Sequence, residues 1–350
     1  MHAQSPHTMR RALRSVLGLA AGSIVYRSRG ITPAYAYQSL IHLFCLTSGR
    51  SNDWLARLLS LVRPPYRLPE AAGALGELST AELNRVAGIL HEQGYYVFPA
   101  RLSPKLCRQL LDYALTQRCV IRPTDADSRK GVGPRMAVYD RSAPEGIIYE
   151  FNPDDLVNNP DIQALMADAS IVAVAQAYIG SRPVLDEVNL WWSTGFRREA
   201  DSNAAQLYHF DMDRIRWLKF FIYLTDVTAD SGPHCFVAGS HKTFAIPGRF
   251  LSRGYARLTD EEVSDAFPRD ALIEFTGPAG TIFAEDTRGL HKGKPVHMGD
   301  RLVLEFEFSN SLFGATPSAT GRLRTLLSPQ LMQFVERYRR MYARWLEQPH

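Results

Sequence analysis

Apolar positions recur at helical spacing in four stretches of the chain. The stretch 79–94 opens with the Ser-x-x-Glu pattern of a capping box, carries apolar residues every three or four positions and ends at a glycine. A Ser-Pro pair opens the stretch 103–116, and another opens a last helix at residue 328, since proline suits the first turn. The stretch 160–179 is rich in apolar residues. We therefore predict helices in all four places.

Between these helices the pattern changes to short runs of β-branched and aromatic residues, separated by glycine, proline and polar turns. The predicted strands lie at 95–98 and near 184–193, 206–211, 216–226, 271–275, 280–284 and 301–309. Many short strands joined by such turns indicate a barrel or a sandwich. We predict a mainly β fold with flanking helices.

The first 69 residues differ in charge from the rest. They hold nine arginines, no lysine and one acid, Asp53, which gives +8, so the remaining 281 residues carry −4 of the net +4. Because this larger part has no basic excess, nucleic acid is not an expected partner. The stretch 63–76 is rich in proline and then in small residues, which is typical of a linker. We predict an arginine-rich helical extension at 1–69 and a second domain at 70–350.

Residues 10–25 form an amphipathic pattern within the extension, with Arg10 and Arg14 beside an apolar stripe. The stripe would consist of Leu13, Val16, Leu17 and Ala20. One interpretation is weak peripheral contact with the inner face of an anionic membrane. The other is a helix that packs on the barrel with its arginines in solvent. The twin arginine also occurs in export signals, but the small residues that follow form a poor cleavage site.

The remaining composition fits a folded cytoplasmic chain. Of the 350 residues, 45% are hydrophobic, so disorder is not expected. The four cysteines are scattered and form no Cys-x-x-Cys pair, which argues against a thiolate zinc site or a disulfide framework. No run of about 18 apolar residues is present, so the sequence predicts no membrane-spanning helix.

The most informative pattern is His209-x-Asp211, followed at a distance by His291. Two histidines and one carboxylate suit a mononuclear non-haem Fe(II) site, because they leave positions open for substrate and O₂. On a strand, residues i and i+2 point to the same side, so His209 and Asp211 can reach one ion. The third ligand must come from another strand, where His291 and His297 are candidates. Asp213 is a rival to Asp211, since it lies on the same predicted face.

Further motifs surround these residues in a fixed order. The segment 206–242 contains Ser231-Gly-Pro-His and Gly-Ser-His241-Lys, and the segment 277–310 contains Gly280-Thr-Ile-Phe and Gly-Leu-His291-Lys-Gly. The sequence thereby resembles the phytanoyl-CoA dioxygenase family of Fe(II)/2-oxoglutarate oxygenases over about residues 78–315. The resemblance implies a double-stranded β-helix, which is a jelly-roll barrel. It also implies Fe(II) bound by His209, Asp211 and His291, with 2-oxoglutarate and O₂ as cosubstrates.

Three further polar residues could bind the cosubstrate. The resemblance implies that Arg301 pairs with the distal carboxylate of 2-oxoglutarate, and an arginine fork suits such a carboxylate in a barrel interior. Arg301 could instead pair with Glu305 or Glu307 on its own strand face. Gln206 and Asn189 lie at family-like positions on strands, where each could bind the cosubstrate or satisfy backbone groups.

The implied activity is hydroxylation of a small molecule at an unactivated C–H bond, with succinate and CO₂ as coproducts. Related halogenases carry Ala or Gly in place of the carboxylate ligand, so Asp211 favours hydroxylation. Two alternatives stay open: a hydroxylase of a membrane lipid or lipid-linked sugar, and a non-catalytic member that uses its metal site for binding. The sequence selects neither a substrate nor an oligomeric state.

Overall fold

Antiparallel strands form the centre of the molecule, which a computed structural model describes over residues 6–254, 256–316 and 321–346, with side chains from residue 10 onwards. The strands are β1 (Ala71–Gly73), β2 (Gly76–Leu78), β3 (Tyr95–Arg101), β4 (Arg118–Ile121), β5 (Arg135–Val138), β6 (Ile148–Glu150), β7 (Val184–Thr194), β8 (Trp217–Tyr223), β9 (His234–Val237), β10 (Leu272–Phe275), β11 (Thr281–Glu285), β12 (His291–Gly293) and β13 (Asp300–Ser309). The larger sheet has the order β3-β11-β8-β13-β7-β6-β4-β5, and the smaller has the order β10-β9-β12. This arrangement confirms the prediction of a mainly β, jelly-roll fold with flanking helices.

Helices precede, cover and follow the sheets. They are α1 (Pro6–Arg29), α2 (Ala34–Thr47), α3 (Arg50–Val62), α4 (Thr80–Gln93), α5 (Pro104–Thr116), α6 (Asp125–Arg129), α7 (Pro153–Leu156), α8 (Pro160–Met166), α9 (Ala169–Ile179), α10 (Gly248–Leu251), α11 (Asp260–Ser264) and α12 (Pro329–Arg337). The capping box of α4 is confirmed, because the Ser79 side chain accepts from the Glu82 N–H and the Glu82 carboxylate accepts from Ser79. The start of α5 is confirmed as well, with Ser103 as its N-cap.

Three predicted elements were wrong in detail. The helix at 160–179 is two helices, because the Asp168 carboxylate accepts from the N–H groups of Ser170 and Ile171 and so starts α9 anew. The predicted linker ends in the hairpin β1–β2, which is tied to α9 by a bond from the Ala74 N–H to Asp168. Residues 206–211 form isolated bridges at Tyr208 and His209 rather than a strand.

The larger sheet is buried on both faces, and the alternation of side chains along β8 shows how. Leu218, Phe220 and Ile222 point outward and join the core cluster beneath α4, α5, α8 and α9. Phe221 and Tyr223 point inward, toward Phe236 of β9 and Phe275 of β10 in the smaller sheet. The space between the sheets is therefore the barrel interior, and the polar side chains that face it are the ones to consider for chemistry.

The arginine-rich extension packs on the barrel through α2 and α3. Ala36, Leu40 and Ala56 of these helices share a buried cluster with Ile215 and Phe313. The Asn52 side chain, fully buried, donates to the main-chain oxygens of Arg214 and Ile215. The extension and the barrel share this buried cluster. The predicted division into two domains at residue 69 therefore stays a proposal.

One segment of the described residues, Pro160–Ile179, is long and apolar enough to cross a membrane by length and composition. Most of it is buried inside the molecule, and it comprises α8 and α9 with the break at Asp168 between them. It is accounted for as part of the core.

Candidate metal centre

His209, Asp211 and His291 come together at one edge of the smaller sheet. The His209 N–H donates to the His291 carbonyl over 2.9 Å, and the His291 N–H returns a bond of 2.8 Å. This bridge places the two imidazole rings 4.2 Å apart. The Asp211 carboxylate lies 4.0 Å from His209 Nε2 and 3.6 Å from His291 Nε2. Within the described part of the chain these three residues form a group whose ligand atoms lie within 4.8 Å of one another.

Main-chain carbonyls fix the orientation of both imidazoles. His209 Nδ1 donates to the Leu207 carbonyl over 2.9 Å, and His291 Nδ1 donates to the Gly289 carbonyl over 3.0 Å. Each Nε2 therefore keeps its lone pair for a ligand. Burial, reinforced by His291, lowers the pKa of His209 well below its usual value, and burial lowers the pKa of His291 too. Both rings are thus neutral near pH 7, which is the form that binds metal.

Asp211 is held as an anion. Burial would raise the pKa of Asp211, but Lys219 and the two histidines hold it below its usual value. Lys219 Nζ lies 3.3 Å from the Asp211 carboxylate. The Thr287 hydroxyl donates to the same carboxylate and accepts from the Trp217 indole N–H over 2.8 Å. Two neutral nitrogens and one carboxylate are the donor set that suits a ferrous ion with open positions, so the residues fit Fe(II).

The two rival ligands do not belong to this group of three. His297 is exposed, and its main chain donates to the Asp230 carbonyl. Asp213 does not belong to the group of three, and burial together with the charge of Asp211 raises the pKa of Asp213 to about 7. The assignment of ligands among these residues stays a prediction, which the geometry supports.

Arg301 is a buried cation without a carboxylate partner among the described residues. It is 3% exposed, Nη1 donates to the Gly232 carbonyl, and Nη2 donates to the Ser193 hydroxyl over 3.0 Å. Its Nε has no hydrogen-bond partner, and burial lowers its pKa. The alternative pairing with Glu305 or Glu307 is absent, because both bind Lys219 instead. A buried, unpaired guanidinium is costly, so this site favours an anionic ligand.

Among the described residues, the side chains of Gln206 and Asn189 form hydrogen bonds with partners other than Arg301. The Gln206 side-chain oxygen accepts from the Asp201 N–H over 3.0 Å, which closes the loop before His209. Asn189 on β7 donates to Glu187 and to Glu305. A role for either residue in binding the cosubstrate stays a prediction.

A row of four charged residues crosses the inner face of the larger sheet, and three of them were not predicted from the sequence. Glu187, Glu307, Lys219 and Glu285 are direct neighbours on β7, β13, β8 and β11. Lys219 Nζ lies 3.5 to 3.6 Å from Glu307 and Glu305 as well as close to Asp211. The signal in the sequence was a lone lysine inside the apolar run Trp217–Tyr223.

Glu285 of this row also pairs with His234, and the pair packs behind the metal group. The sequence did not predict this pair. His234 Nε2 lies 3.0 Å from the Glu285 carboxyl, and the His234 ring stacks 5.7 Å from His291. Burial raises the pKa of Glu285 to about 8, and burial with the nearby Arg301 lowers the pKa of His234 to about 3. The pair is therefore neutral near pH 7 and adds no charge beside the metal ligands.

The seven residues from Glu285 to His291 connect all of these groups. Thr287 binds Asp211 through its carbonyl over 2.7 Å, and Gly289 binds the His291 ring. A Cβ on Gly289 would lie 2.6 Å from the Phe236 ring and 2.7 Å from the Ser240 hydroxyl, so this close approach requires glycine. Arg288 pairs with Asp286 and with Asp53 of the extension.

This fold and donor set define a metal-binding jelly-roll protein. The sequence model of the phytanoyl-CoA dioxygenase (PhyH) family matches residues 90–301, which is more than half of the chain and includes all six predicted site residues. The chain belongs to this family. The extension lies outside the matched region.

Individual relatives are distant. Ectoine dioxygenase from Sphingopyxis alaskensis is 25% identical over 147 residues, which cover 38% of this chain and 48% of that protein. The chain thus spans about half the length of this curated relative. EctD from S. alaskensis with bound Fe is 20% identical, covers 81% of this chain and 92% of its own, and has a TM-score of 0.47. HygX from Streptomyces hygroscopicus with nickel and 2-oxoglutarate bound is 18% identical, with coverages of 71% and 91% and a TM-score of 0.47.

Proposed function

We propose that the protein is an Fe(II)/2-oxoglutarate-dependent dioxygenase that hydroxylates a small molecule. His209, Asp211 and His291 would hold Fe(II), and Arg301 would hold the distal carboxylate of 2-oxoglutarate. The observation that carries the proposal is the combination of the converging donor set with a buried, unpaired guanidinium. Arg301 Nη2 lies 3.2 Å from the position of a Cβ on Gly293, which is two residues after His291. The anion site and the metal site are therefore adjacent along β12.

Fe(II), 2-oxoglutarate and O₂ supply the oxidising chemistry when bound, and the protein supplies binding, orientation and exclusion of water. The chain has groups suited to each task. Arg301 offers a planar fork for a carboxylate. The neutral His234–Glu285 pair backs His291 without altering the charge of the site. Phe221, Phe283 and other inward-facing aromatic residues form a buried apolar surface beside this pair.

The charged row favours a polar substrate over a long acyl chain. Glu187, Glu305 and Glu307 line the interior beside Asp211. The single ammonium group of Lys219 pairs with Glu305, Glu307 and Asp211. Burial raises the pKa of Glu305 to about 7, so this carboxyl can both donate and accept near neutral pH. A substrate with hydroxyl or amino groups would find partners here. An alkyl chain would exclude water from these carboxyl groups without offering them hydrogen bonds, which is costly.

The experiment is oxygen-triggered product profiling. Purified protein is loaded without O₂ with Fe(II) and 2-oxoglutarate, mixed with a fractionated cell extract and exposed to O₂. The expected result is succinate formation together with a compound that has gained one oxygen atom. Iron and 2-oxoglutarate binding without succinate in any fraction would favour the non-catalytic alternative. Activity only in lipid fractions would favour the alternative of a lipid or lipid-linked substrate.

A cytoplasmic location accompanies this proposal. Among the described residues Cys45, Cys107, Cys119 and Cys235 are all free thiols, which suits a reducing compartment. A membrane contact of residues 10–25 is a separate question from the chemistry, because that segment lies outside the region matched by the family.

A further inference from the structure

The apolar stripe of α1 faces solvent. Leu13 and Leu17 are each 60% exposed, Val16 is similarly exposed and Ile24 is 71% exposed. Their spacing of three, four and seven positions places them on one side of the helix. The sequence left open whether this stripe packs on the barrel, and the structure shows that it does not. An apolar helix face left in water normally marks an interaction site.

The opposite face of α1 explains this orientation. Gly18 and Gly22 face α2, and a Cβ on Gly22 would lie only 2.1 Å from the Ala36 Cβ. A Cβ on Gly18 would lie 2.7 Å from the Ser39 hydroxyl. Because the space between the helices admits only glycine, α1 cannot rotate to bury its leucines against α2. The large apolar residues are thus held outward by the packing of the small ones.

A second exposed stripe lies on α3. Trp54, Leu58, Leu61 and Val62 follow one another at helical spacing, with Trp54 60% and Leu61 79% exposed. The Arg57 guanidinium lies 5.6 Å from the centre of the Trp54 ring. An exposed tryptophan beside an arginine is typical of side chains that lie at the level of lipid headgroups.

The exposed charged side chains of α1 and α3 are all basic. Arg10, Arg11 and Arg14 are exposed beside the α1 stripe, and Arg27 and Arg29 lie in its last turn. The single acid of residues 1–69, Asp53, faces the barrel and pairs with Arg216 and Arg288. Two copies of this surface would repel each other, so self-association through it is disfavoured. An anionic surface is the complementary partner.

We infer that the exposed faces of α1 and α3 dock onto an anionic lipid surface, with the apolar stripes in the headgroup region and the arginines paired to lipid phosphates. The helices lie on the membrane and do not span it, because one side of α1 is packed against α2. Docking of this kind is reversible and sensitive to salt, since charge attraction falls off within a Debye length. It is independent of the proposed oxygenase activity.

The test is co-sedimentation of the full chain with vesicles. Vesicles of phosphatidylglycerol and phosphatidylcholine in equal parts are compared with phosphatidylcholine alone, at about 0.05 and 0.5 M salt. We expect binding to the anionic vesicles at low salt and much weaker binding in the other conditions. Arg10→Gln and Arg14→Gln should each weaken binding about five-fold. The double variant Leu13→Ser/Leu17→Ser should weaken it by more than about ten-fold.

Matched controls lie on helices remote in sequence. Met332→Ser on α12 and Arg108→Gln on α5 change exposed residues of the same kinds. Neither should alter vesicle binding. Circular dichroism and thermal melting of every variant check that it is folded, and these substitutions at exposed positions should leave both unchanged.

Each of the following results would overturn the inference. The first is no binding to anionic vesicles at low salt. The second is equal binding to neutral vesicles, or equal loss of binding in the control variants. The third is a concentration-dependent dimer of the wild-type chain that Leu13→Ser/Leu17→Ser abolishes in the absence of vesicle binding, which would assign the stripe to self-association. All of these readouts are independent of iron, 2-oxoglutarate and turnover.

Discussion

His209 and His291 donate their main-chain N–H groups to each other's carbonyls, at 2.9 and 2.8 Å. This reciprocal pair fixes the separation of the two imidazoles through the main chain, and each ring is oriented by a carbonyl two residues before it. The two nitrogen donors are therefore preorganised by protein contacts alone. Metal binding at such a site loses little conformational entropy.

The first prediction concerns the ligands. His291→Ala should reduce Fe(II) affinity by more than the ~10–100-fold typical for loss of a group that merely supports a ligand, and should abolish succinate formation. Iron content by metal analysis and succinate by mass spectrometry are the measurements. His297→Ala, which changes an exposed histidine, should behave as wild type. The opposite pattern for the two variants would show that the distal ligand is misassigned.

Arg301 should control affinity for 2-oxoglutarate without affecting iron. Arg301→Ala should weaken 2-oxoglutarate binding by about 2–4 kcal/mol, because it removes the cation of a buried charged pair. The KM for 2-oxoglutarate should rise steeply, and the increase in Tm that 2-oxoglutarate gives the wild type should disappear. Arg301→Lys keeps the charge but loses the fork, so its KM for 2-oxoglutarate should lie between those of the wild type and Arg301→Ala. An unchanged KM in Arg301→Ala would mean that Arg301 is purely structural.

Lys219 should contribute more to stability without a bound metal than with one. Lys219→Met leaves Asp211, Glu305 and Glu307 without their shared cation, and we expect a loss of about 3–5 kcal/mol in the free energy of unfolding. A divalent ion at Asp211 would replace part of that positive charge, so Ni(II) should stabilise the variant more than the wild type. Denaturant unfolding with and without Ni(II) measures both. A loss of equal size in the two conditions would contradict this account.

A pH dependence is expected from His241, a buried histidine that is not one of the predicted metal ligands. Its Nε2 donates to the His91 carbonyl, and burial lowers its pKa to about 4. The unfolded chain, with an ordinary histidine pKa of about 6.5, binds the proton more readily, so stability from this site is present above pH 6.5 and falls as the pH drops toward 4.

The measurement is the difference in unfolding free energy between the wild type and His241→Gln. This difference should shrink by about 2 kcal/mol between pH 7 and pH 5, since 1.5 units below the unfolded pKa correspond to that energy. The other histidines titrate in both proteins and cancel. A difference that does not change with pH would show that His241 is accommodated in its charged form.

Local signals in the sequence were enough for most of the elements that carry the site. The capping residues of α4 and α5 and the strands around 184–193 and 301–309 were predicted close to their observed bounds, because each is determined by its own residues. The segment before Asp211 was predicted as a strand for its alternation. It forms only bridges, since its pairing depends on distant residues, Leu258 and His291.

The charged row could not be predicted, because the pairing of the strands decides which charged residues become neighbours. Lys219 in sequence is an isolated lysine, and only the register of β8 with β13 and β11 places it between Glu307 and Glu285. The same holds for His234, which meets Glu285 across the barrel. The orientation of α1 was equally hidden, because the amphipathic pattern shows a stripe but not which face the partner helix accepts.

The segment from Glu285 to His291 also bears on how the molecule opens. Asp53 of the extension pairs with Arg288, which pairs with Asp286, which in turn accepts from the Tyr178 hydroxyl of α9. The neighbouring Thr287 and Gly289 hold Asp211 and His291. Detachment of α3 would thus remove Asp53 from Arg288, which lies in the segment that supports the metal ligands. In native-state hydrogen exchange, the amides of α3 and those around His291 should exchange together, as one cooperative unit that crosses the proposed division at residue 69.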